Sequence, residues 1–322
     1  MRLGVLLPHR GVILQSARRP PVEDCWTIAR LCDDAGMDVW VGDSVVAKPR
    51  LEPLTTLAYV AAMTKRARLG TAILLPALRQ PTVLAHQLAN LDQISQGRLV
   101  LGLGVGWGMP AIVREWEACG QSHKRRVKDL EEHMAVWRML WSGKPVSYEG
   151  NGFKLTEHTI GPLPWNEAGP PLLVTAGNRG EMIPAQIERV GKFGDGVITT
   201  YVNEDDIRQL RVVCSEAMAK HERARPDFPM CVYTTIRMEN DVSKAEALTN
   251  AFLEKYYGGG VNFRGMMGLG PASAVIDVLK RYEAAGVTDL CIRLVGDDQV
   301  AQLQQFIAEV LPAMNKKNSG LY

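Results

Sequence analysis

The chain has 322 residues, 46% of them hydrophobic, which is enough to bury one large core or two modest ones. Its formal net charge of +2, with charges spread along the chain, provides no basic patch of the kind that binds nucleic acid. No uncharged run reaches the roughly 18 apolar residues of a membrane span, and no secretion signal is recognisable, so we expect a soluble cytoplasmic protein.

The first half of the chain alternates between strand and helix patterns. Short, continuously apolar runs are typical of strands buried on both faces of a parallel sheet, and helical spacing bounded by proline or glycine is typical of helices. These patterns predict, in chain order, strand 3–8, helix 22–35, strand 38–41, helix 53–63, strand 69–75, helix 81–95, strand 99–103 and helix 124–141.

An excursion at about residues 143–170 interrupts this order. Its Gly150-Asn151-Gly152 segment, which has aromatic residues on both sides, predicts a hairpin within 146–164. The alternation then resumes with strand 171–176, helix 181–190, strand 196–199, helix 204–223, strand 230–238, helices 245–257 and 272–285, strand 289–293 and helix 299–310.

About eight strands that alternate with helices predict an α/β fold, and specifically a closed (β/α)8 TIM barrel with insertions. We expect a single domain over residues 1–314, which includes the excursion, and a flexible polar tail over residues 315–322. An open, doubly wound sheet is the structural alternative.

A glycine-rich segment follows the fourth predicted strand. Glycine occupies every second position from Gly102 to Gly108, which permits unusual backbone dihedrals and a close approach to a ligand. At the C-terminal end of a barrel strand, Gly104 and Gly106 are therefore candidates to contact a flat or phosphorylated cofactor. The spacing also satisfies a loose G-x-G-x-x-G pattern, but a dinucleotide fold would place it after the first strand. A tightly packed turn is the other alternative.

A second loop, Ala176-Gly177-Asn178-Arg179-Gly180, lies between a predicted strand and a predicted helix. Free backbone N–H groups, the dipole of a helix N-terminus and one guanidinium together favour an anion such as a cofactor phosphate. A plain Asn-Gly turn with a solvated arginine is the alternative interpretation.

Other residues that directly follow predicted strands should face the mouth of the barrel. His9 follows the first strand, and Asp43 and Ser44 follow the second. The other histidines are scattered without metal-ligand spacing, and the six cysteines form no C-x-x-C pair, so we expect neither a metal site nor disulfides. No G-x-S-x-G nucleophile segment is present.

Three separate blocks of sequence, in the same order, carry a family resemblance. They are residues 36–107, which run from GMDVW to GVGW, residues 125–155, which begin RRVKDLEEHM, and residues 270–294, GPASAVIDVLKRYEAAGVTDLCIRL. Through these blocks the chain resembles the bacterial-luciferase-like flavin oxidoreductases, a barrel superfamily that uses reduced FMN or the deazaflavin coenzyme F420. The resemblance covers essentially the whole chain.

The resemblance implies how a flavin would lie in this barrel. The ring would cross the C-terminal ends of the strands in front of a non-prolyl cis peptide, which matches the Ala72–Ile73 bond. Asp43 matches a residue near the ring edge. Gly104 and Gly106 match the loop that passes close to the cofactor, and residues 176–180 match its phosphate contacts.

Two residues depart from the family pattern. Ser44 stands where many members have a histidine credited with proton transfer, and Trp107 stands where deazaflavin-dependent sugar-phosphate dehydrogenases have a glutamate. Serine cannot hold a proton as an imidazolium does, whereas Trp107 offers a stacking surface and one N–H donor. His9 either supplies the missing imidazole or only bonds a neighbouring loop. The candidate catalytic residues are therefore His9, Asp43, Ser44 and Trp107.

Among the activities that the resemblance implies, the sequence favours a flavin-dependent monooxygenase by a small margin. Reduced FMN from a separate reductase, together with O₂, would act on a small organic substrate. The alternative is hydride transfer with coenzyme F420, whose long anionic tail suits cations near the mouth such as Lys48 and Arg50. A flavin-binding barrel without turnover is a second alternative. Members commonly form homodimers, and we expect one here.

Overall fold

The computed structural model describes residues 1–106, 108–177, 180–257 and 266–315. The strands of these residues are β1 (Arg2–Leu6), β2 (Asp38–Val41), β3 (Leu69–Leu74), β4 (Leu99–Leu103), β5 (Val146–Gly150), β6 (Phe153–His158), β7 (Leu172–Thr175), β8 (Gly196–Thr200), β9 (Met230–Met238), β10 (Gly268–Gly270) and β11 (Asp289–Leu294).

The α-helices of the same residues are α1 (Gly11–Gln15), α2 (Glu23–Asp34), α3 (Pro53–Met63), α4 (Pro81–Ser95), α5 (Pro110–Ala118), α6 (Arg126–Trp141), α7 (Pro184–Phe193), α8 (Glu204–Lys220), α9 (Val242–Tyr257), α10 (Ala272–Ala284), α11 (Gln299–Glu309) and α12 (Leu311–Asn315). Short 3₁₀ segments, Pro76–Leu78 and His123–Arg125, precede α4 and α6. Within the described ranges, no helix is both long and apolar enough to cross a membrane.

Eight parallel strands close into a barrel. Their order is β9-β11-β1-β2-β3-β4-β7-β8, and β8 pairs with β9 to complete the ring, with Val197 opposite Met230. The short strand β10 pairs with the C-terminal part of β9. The predicted (β/α)8 barrel is therefore confirmed, and the ring closure excludes the open sheet.

Inside the ring, one large side chain is matched by glycines on both neighbouring strands. Trp40 of β2 is 1% exposed. A Cβ on Gly4 of β1 would lie 2.4 Å from Trp40 Nε1, and a Cβ on Gly70 of β3 would lie 2.1 Å from Trp40 Cε3. These glycines therefore make room for the indole in a close-packed interior. Smaller side chains fill the rest: Leu6, Val100, Leu173, Ile198, Cys231 and Cys291.

A second and larger core lies between the barrel and the helices around it. On α6, Trp137 and Trp141 are at most 2% exposed. Their indole N–H groups donate to the carbonyl oxygens of Pro81 and Ala85 on α4, each at 3.1 Å. Buried indoles need such a partner, and these two bonds fix the position of α6 against α4.

Charged side chains close the N-terminal end of the barrel. Asp38 of β2 is 2% exposed and accepts hydrogen bonds from Arg2 and Arg68, each with a shortest N–O distance of 2.6 Å. Arg68 also pairs with Asp289 of β11. Burial alone would raise the pKa of Asp38, but the two arginines outweigh burial and hold that pKa below its ordinary value. The network ties β1, β2, β11 and the loop before β3 together.

Some elements differ from the prediction. The excursion does form a hairpin, β5–β6. The prediction misses α1, α5, α12 and β10. It also starts α7 at residue 181, whereas the helix begins at Pro184, a residue favoured at the first helical position. Most of the predicted tail, from residue 316 onward, lies outside the described residues.

Candidate active site

A cavity of about 380 Å³ opens at the C-terminal ends of the barrel strands. One part of its wall is apolar and comes from the ends of β3 and β4 and from α5. Its apolar residues include Ala72, Ile73, Leu75, Val105, Met109 and Ile112. Another part carries charged and hydroxyl groups from the loop after β2 and from β8, β9 and α9: Asp43, Ser44, Lys48, Arg50, Tyr201, Tyr233, Tyr256 and Tyr257.

The apolar part is shaped by an irregularity in β3. The Ala72–Ile73 peptide bond is cis, as the family resemblance implies. The pairing register between β3 and β4 shifts between Thr71 and Leu74, so the strand bulges at this point. Both Ala72 and Ile73 line the cavity. The cis bond is confirmed, and the role of these residues against a cofactor stays a prediction.

Asp43 is held by an ion pair at the edge of the cavity. Its Oδ2 accepts from Arg79 Nη1 at 2.5 Å and from the Leu75 backbone N–H at 3.0 Å, and its Oδ1 accepts from Arg79 Nη2 at 3.1 Å. Such a two-point pair fixes both the position and the plane of the carboxylate. Asp43 therefore joins the loop after β2 to the segment directly after β3. Its place near a flavin ring stays a prediction.

Ser44 belongs to a compact loop that is organised around a single carboxylate, that of Glu115. The Ser44 hydroxyl donates to Glu115 Oε1 at 2.6 Å. The backbone N–H groups of Val45, Val46 and Ala47 donate to the same oxygen at 2.6, 2.9 and 3.1 Å. Glu115 is 1% exposed and comes from α5, the helix that the sequence pattern does not predict. Sequence reasoning therefore missed Glu115.

His9 lies at the rim of the barrel, with both ring nitrogens occupied by the backbone. Nδ1–H donates to the Leu7 carbonyl oxygen at 2.7 Å, and Nε2 accepts from the Gly42 N–H at 3.0 Å, a pattern that fits the neutral ring. Burial and then the charge of Arg50 lower the pKa of His9 to about 3. Of the two roles that the sequence allows, this geometry favours the bonding of neighbouring loops.

The glycine-rich segment contributes both to the cavity wall and to the packing behind that wall. Gly106 lines the cavity and has φ of 67°, a conformation that favours glycine. A Cβ on Gly104 would instead lie 2.1 Å from Ile73 Cδ1, so Gly104 makes room for the bulge in β3. Gly104 would therefore affect a cofactor through the position of Ile73, which lines the cavity, and not through direct contact. Trp107 lies outside the described residues.

The predicted phosphate loop is described only in part. Ala176 lines the cavity. The Gly177 carbonyl oxygen accepts from Thr199 Oγ1 at 2.8 Å, and Gly177 and Gly180 have φ of 70° and 77°. Because α7 begins at Pro184, its N-terminus does not directly follow this loop, contrary to the prediction. Asn178 and Arg179 lie outside the described residues, and a phosphate site here stays a prediction.

Two cations face the cavity from the loop after β2. Lys48 Nζ lies 4.7 Å from the centroid of the Tyr257 ring, and Arg50 Nε donates to the Lys48 carbonyl oxygen at 3.1 Å. Among the described residues, neither cation forms an ion pair with a carboxylate, although burial lowers the pKa of Lys48. Unpaired cations in a cavity favour an anionic ligand. A group of three or more His, Cys, Asp or Glu side chains able to hold a metal is not found in the part of the chain that the structure describes.

Comparison with known proteins places these features in context. A family model described as a luciferase-like monooxygenase matches residues 1–290. A protein of Intrasporangium calvum named F420-dependent glucose-6-phosphate dehydrogenase is 27% identical over 291 residues, which cover 81% of this chain and 84% of that protein.

Two solved structures share the fold. The monooxygenase RslO1 from Streptomyces bottropensis has a TM-score of 0.83 and 22% sequence identity, over 98% of this chain and 100% of that one. An F420-dependent secondary alcohol dehydrogenase in complex with an F420-acetone adduct has a TM-score of 0.79 and 19% identity, again over 98% and 100%. At these identities the likeness shows the barrel fold alone.

Proposed function

The chain belongs to the luciferase-like monooxygenase family, and from this premise we propose that it moves a hydride between coenzyme F420 and a small organic substrate. The family makes the protein an enzyme of the luciferase-like oxidoreductase type, so a barrel without turnover is not proposed. The sequence alone favours FMN. The F420-dependent relative, which aligns over more than four-fifths of both chains, supports F420 instead.

The observation that carries the choice of coenzyme is the pair of cations at the cavity. Lys48 and Arg50 line it, and no described carboxylate forms an ion pair with either. Coenzyme F420 is a deazaflavin with a long anionic tail, which would give these cations a direct ionic partner. The apolar wall with Ala72, Ile73 and Val105 suits a flat ring.

The residues around the cavity suit such a group because hydrogen bonds hold the cavity wall in place. Bound in the cavity, the coenzyme would supply the capacity to accept or donate a hydride. The Asp43–Arg79 pair holds the loops after β2 and β3 in one arrangement, and Glu115 holds residues 44–47. The ion pair and the hydrogen bonds of Glu115 hold the cavity wall in one arrangement before a ligand binds. Leu75 and Ile112 help to exclude water from the cavity.

The substrate of the F420-dependent relative is not carried over to this chain. By the family resemblance, Ser44 stands where many members have a histidine, and Trp107 stands where F420-dependent sugar-phosphate dehydrogenases have a glutamate. The carboxyl group of Glu115 reaches the cavity wall, but four donors hold one of its oxygens in place. We also propose that the enzyme forms a homodimer and acts on a small organic substrate.

Oxygen consumption tests this function without knowledge of the substrate. Hydride transfer predicts that the protein, mixed with reduced F420 or reduced FMN, consumes O₂ no faster than the free cofactor does. The measurement uses an oxygen electrode with each cofactor in turn, and heat-unfolded protein is the control. Faster consumption with reduced FMN would contradict hydride transfer and support the monooxygenase with its separate reductase.

A further inference from the structure

Arg293, at the end of β11, is a buried cation without a carboxylate partner. It is 2% exposed. Its Nη1 donates to the Tyr257 hydroxyl oxygen at 2.6 Å, and its Nη2 donates to Thr235 Oγ1 at 2.7 Å. Across the described ranges, no carboxylate pairs with it, and its Nε has no hydrogen-bond partner. A desolvated charge of this kind strongly favours a negative group beside it.

Arg293 is directly bonded to a weakly acidic group, the phenol of Tyr257. Its oxygen accepts from Arg293 and also from the hydroxyl of Tyr201. Lys48 lies over its ring, with Nζ 4.7 Å from the centroid. Tyr257 is half-buried and lines the cavity, so the oxygen sits between an enclosed cation and the space available to a ligand.

Several parts of the fold contribute titratable or charged groups around Tyr257. These groups are Arg10 from the loop after β1, Lys48 from the loop after β2, Tyr201 after β8, Tyr233 from β9, Tyr256 from α9 and Arg293 from β11. Arg50, also from the loop after β2, acts on the neighbouring Tyr256. The charged groups among them are all cations. The surroundings of Tyr257 are therefore strongly positive, and an anion on its oxygen would balance them.

From this geometry we infer that Tyr257 is the catalytic residue that exchanges the substrate proton, and that Arg293 is the positioning residue that keeps its phenolate stable. This inference rests on the proposed function, because a proton must move whenever a hydride leaves an alcohol. The sequence pattern singles out neither residue. Tyr257 is simply the last residue of a predicted helix, and Arg293 is the last residue of a predicted strand.

The proton and electron balance is simple for an alcohol. Its C–H bond breaks and the electron pair leaves with the hydrogen as hydride, which goes to the oxidised deazaflavin. Its O–H bond also breaks, the carbon–oxygen double bond forms, and the O–H proton goes to the Tyr257 phenolate oxygen. In the reverse direction, the neutral phenol of Tyr257 returns the proton to the carbonyl oxygen.

The four phenols of the cavity differ in how readily they ionise. Burial raises the pKa of Tyr201 to about 12 and also raises the pKa values of Tyr233 and Tyr256. Burial acts in the same direction on Tyr257, but the charge and hydrogen bond of Arg293, the hydrogen bond from Tyr201 and the charge of Lys48 outweigh it and lower its pKa. Tyr257 is therefore the phenol of the four that ionises most readily.

An ultraviolet pH titration of the apo-protein tests the inference directly, because tyrosinate absorbs where tyrosine does not. We expect a transition with the amplitude of one phenol below the ordinary tyrosine pKa of about 10. This transition should be lost in Tyr257→Phe and retained in the matched control Tyr256→Phe. Identical titrations of the wild type and Tyr257→Phe would overturn the inference.

Two variants of Arg293 separate a charge effect from a packing effect, and a variant of Tyr201 tests its hydrogen bond to Tyr257. Arg293→Lys keeps a cation and should keep the transition below about 10, whereas Arg293→Met should move it above that value. Tyr201→Phe removes one donor at the cavity surface and should raise the midpoint without abolishing the transition. A midpoint that is unchanged in both Arg293→Met and Tyr201→Phe, with the melting temperature confirming folded protein, would overturn the roles given to these residues.

Coenzyme binding separates this inference from the proposed function. Equilibrium titration with F420 should give a Kd in Tyr257→Phe within about threefold of the wild-type value, because one neutral hydrogen bond contributes little to binding. If the wild type binds no F420, the proposed function fails together with the reaction assigned to Tyr257. If F420 binds but the low transition does not belong to Tyr257, the inference alone fails.

Discussion

Three buried charges organise the candidate active site, and each is balanced differently. Asp43 is paired with one arginine. Glu115 is balanced by one hydroxyl and three backbone N–H groups of a single loop. Arg293 is bonded by hydroxyl groups, among them those of Tyr257 and Thr235, and by no carboxylate among the described residues. The first two arrangements are complete and therefore structural, whereas the third leaves a charge that invites acid–base chemistry.

Glu115→Ala should release the loop of residues 44–47. The substitution leaves three backbone N–H groups and the Ser44 hydroxyl without their acceptor, at a cost of about 1–3 kcal/mol in the free energy of unfolding. We expect faster proteolytic cleavage in this loop and a lower melting temperature. The measurement is limited proteolysis followed by mass spectrometry, together with thermal unfolding.

Glu117→Ala is the matched control for that variant, because Glu117 lies on the same helix and is exposed. It should behave like the wild type within about 0.5 kcal/mol. Equal cleavage rates in Glu115→Ala and Glu117→Ala would show that the loop does not depend on the buried carboxylate.

Some of the residues that the sequence identified directly follow strands, and of these Asp43 and Ser44 do line the cavity. Ala72 and Ile73, which the family resemblance identifies within β3, line it as well. His9 follows a strand as well, but its ring turns to the backbone. Chain position predicts which residues reach the mouth of a barrel, and it does not predict which way a side chain turns once hydrogen-bond partners compete for it.

Sequence reasoning missed Glu115, Tyr257 and Arg293, for one physical reason. Each acts through a partner that is far away along the chain, such as Ser44, which is 71 residues from Glu115, or Tyr257, which is 36 residues from Arg293. Such pairs leave no periodicity and no local spacing. Only the three-dimensional arrangement reveals them.

At the scale of elements, the bulge of β3 and the glycine-rich end of β4 form one unit. Ile73 packs into the space that Gly104 leaves free, since a Cβ there would lie 2.1 Å from Ile73 Cδ1 and 3.2 Å from Thr175 Cγ2. The Leu75 N–H then bonds Asp43. The glycine therefore shapes the cavity from behind its wall, whereas the sequence suggests a direct contact with a cofactor.

Gly104→Val should displace Ile73 into the cavity. Overpacking of this kind costs about 1–3 kcal/mol of stability, and the displaced side chain should weaken F420 binding by at least tenfold. Thermal unfolding and an equilibrium titration measure the two effects. Gly108→Ala is the control, because a Cβ on Gly108 meets nothing within 4 Å. Coenzyme binding in Gly104→Val equal to that of Gly108→Ala would contradict this role.

The strands were predictable because strands buried in a closed barrel are continuously apolar. The bounds of β2, β4 and β9 agree with the prediction at both ends. The helix α5 was not predictable in the same way, since it is only nine residues long and directly follows a glycine-rich segment. Tertiary contacts form it, above all the buried side chains of Glu115 and Trp116.

At the scale of the whole molecule, the two ends of the barrel have different tasks. The N-terminal end is closed by the ion pairs of Asp38 and Asp289 with arginines. The C-terminal end leaves a cavity lined by Lys48 and Arg50, which form no ion pair with a carboxylate in the described ranges. This division matches the general rule that barrel enzymes carry stability at one end and chemistry at the other.

Alternation of strands and helices predicts a parallel sheet, but ring closure depends on the pairing of β8 with β9, to which no single segment points. The choice of coenzyme lies even further from local pattern. Counting cations near the mouth suits F420, and the small preference for FMN in the sequence rests on no particular residue. The proposal of F420 is supported by Lys48 and Arg50 in the folded cavity and by the F420-dependent relative.

The central claim is that this barrel binds a deazaflavin for hydride transfer. The most direct test is a parallel equilibrium titration of the purified apo-protein with F420 and with FMN, both reduced and under argon. We predict that F420 binds at least tenfold more tightly than FMN, a difference of about 1.4 kcal/mol in binding free energy. Tighter binding of FMN, or binding of neither cofactor, would contradict the claim.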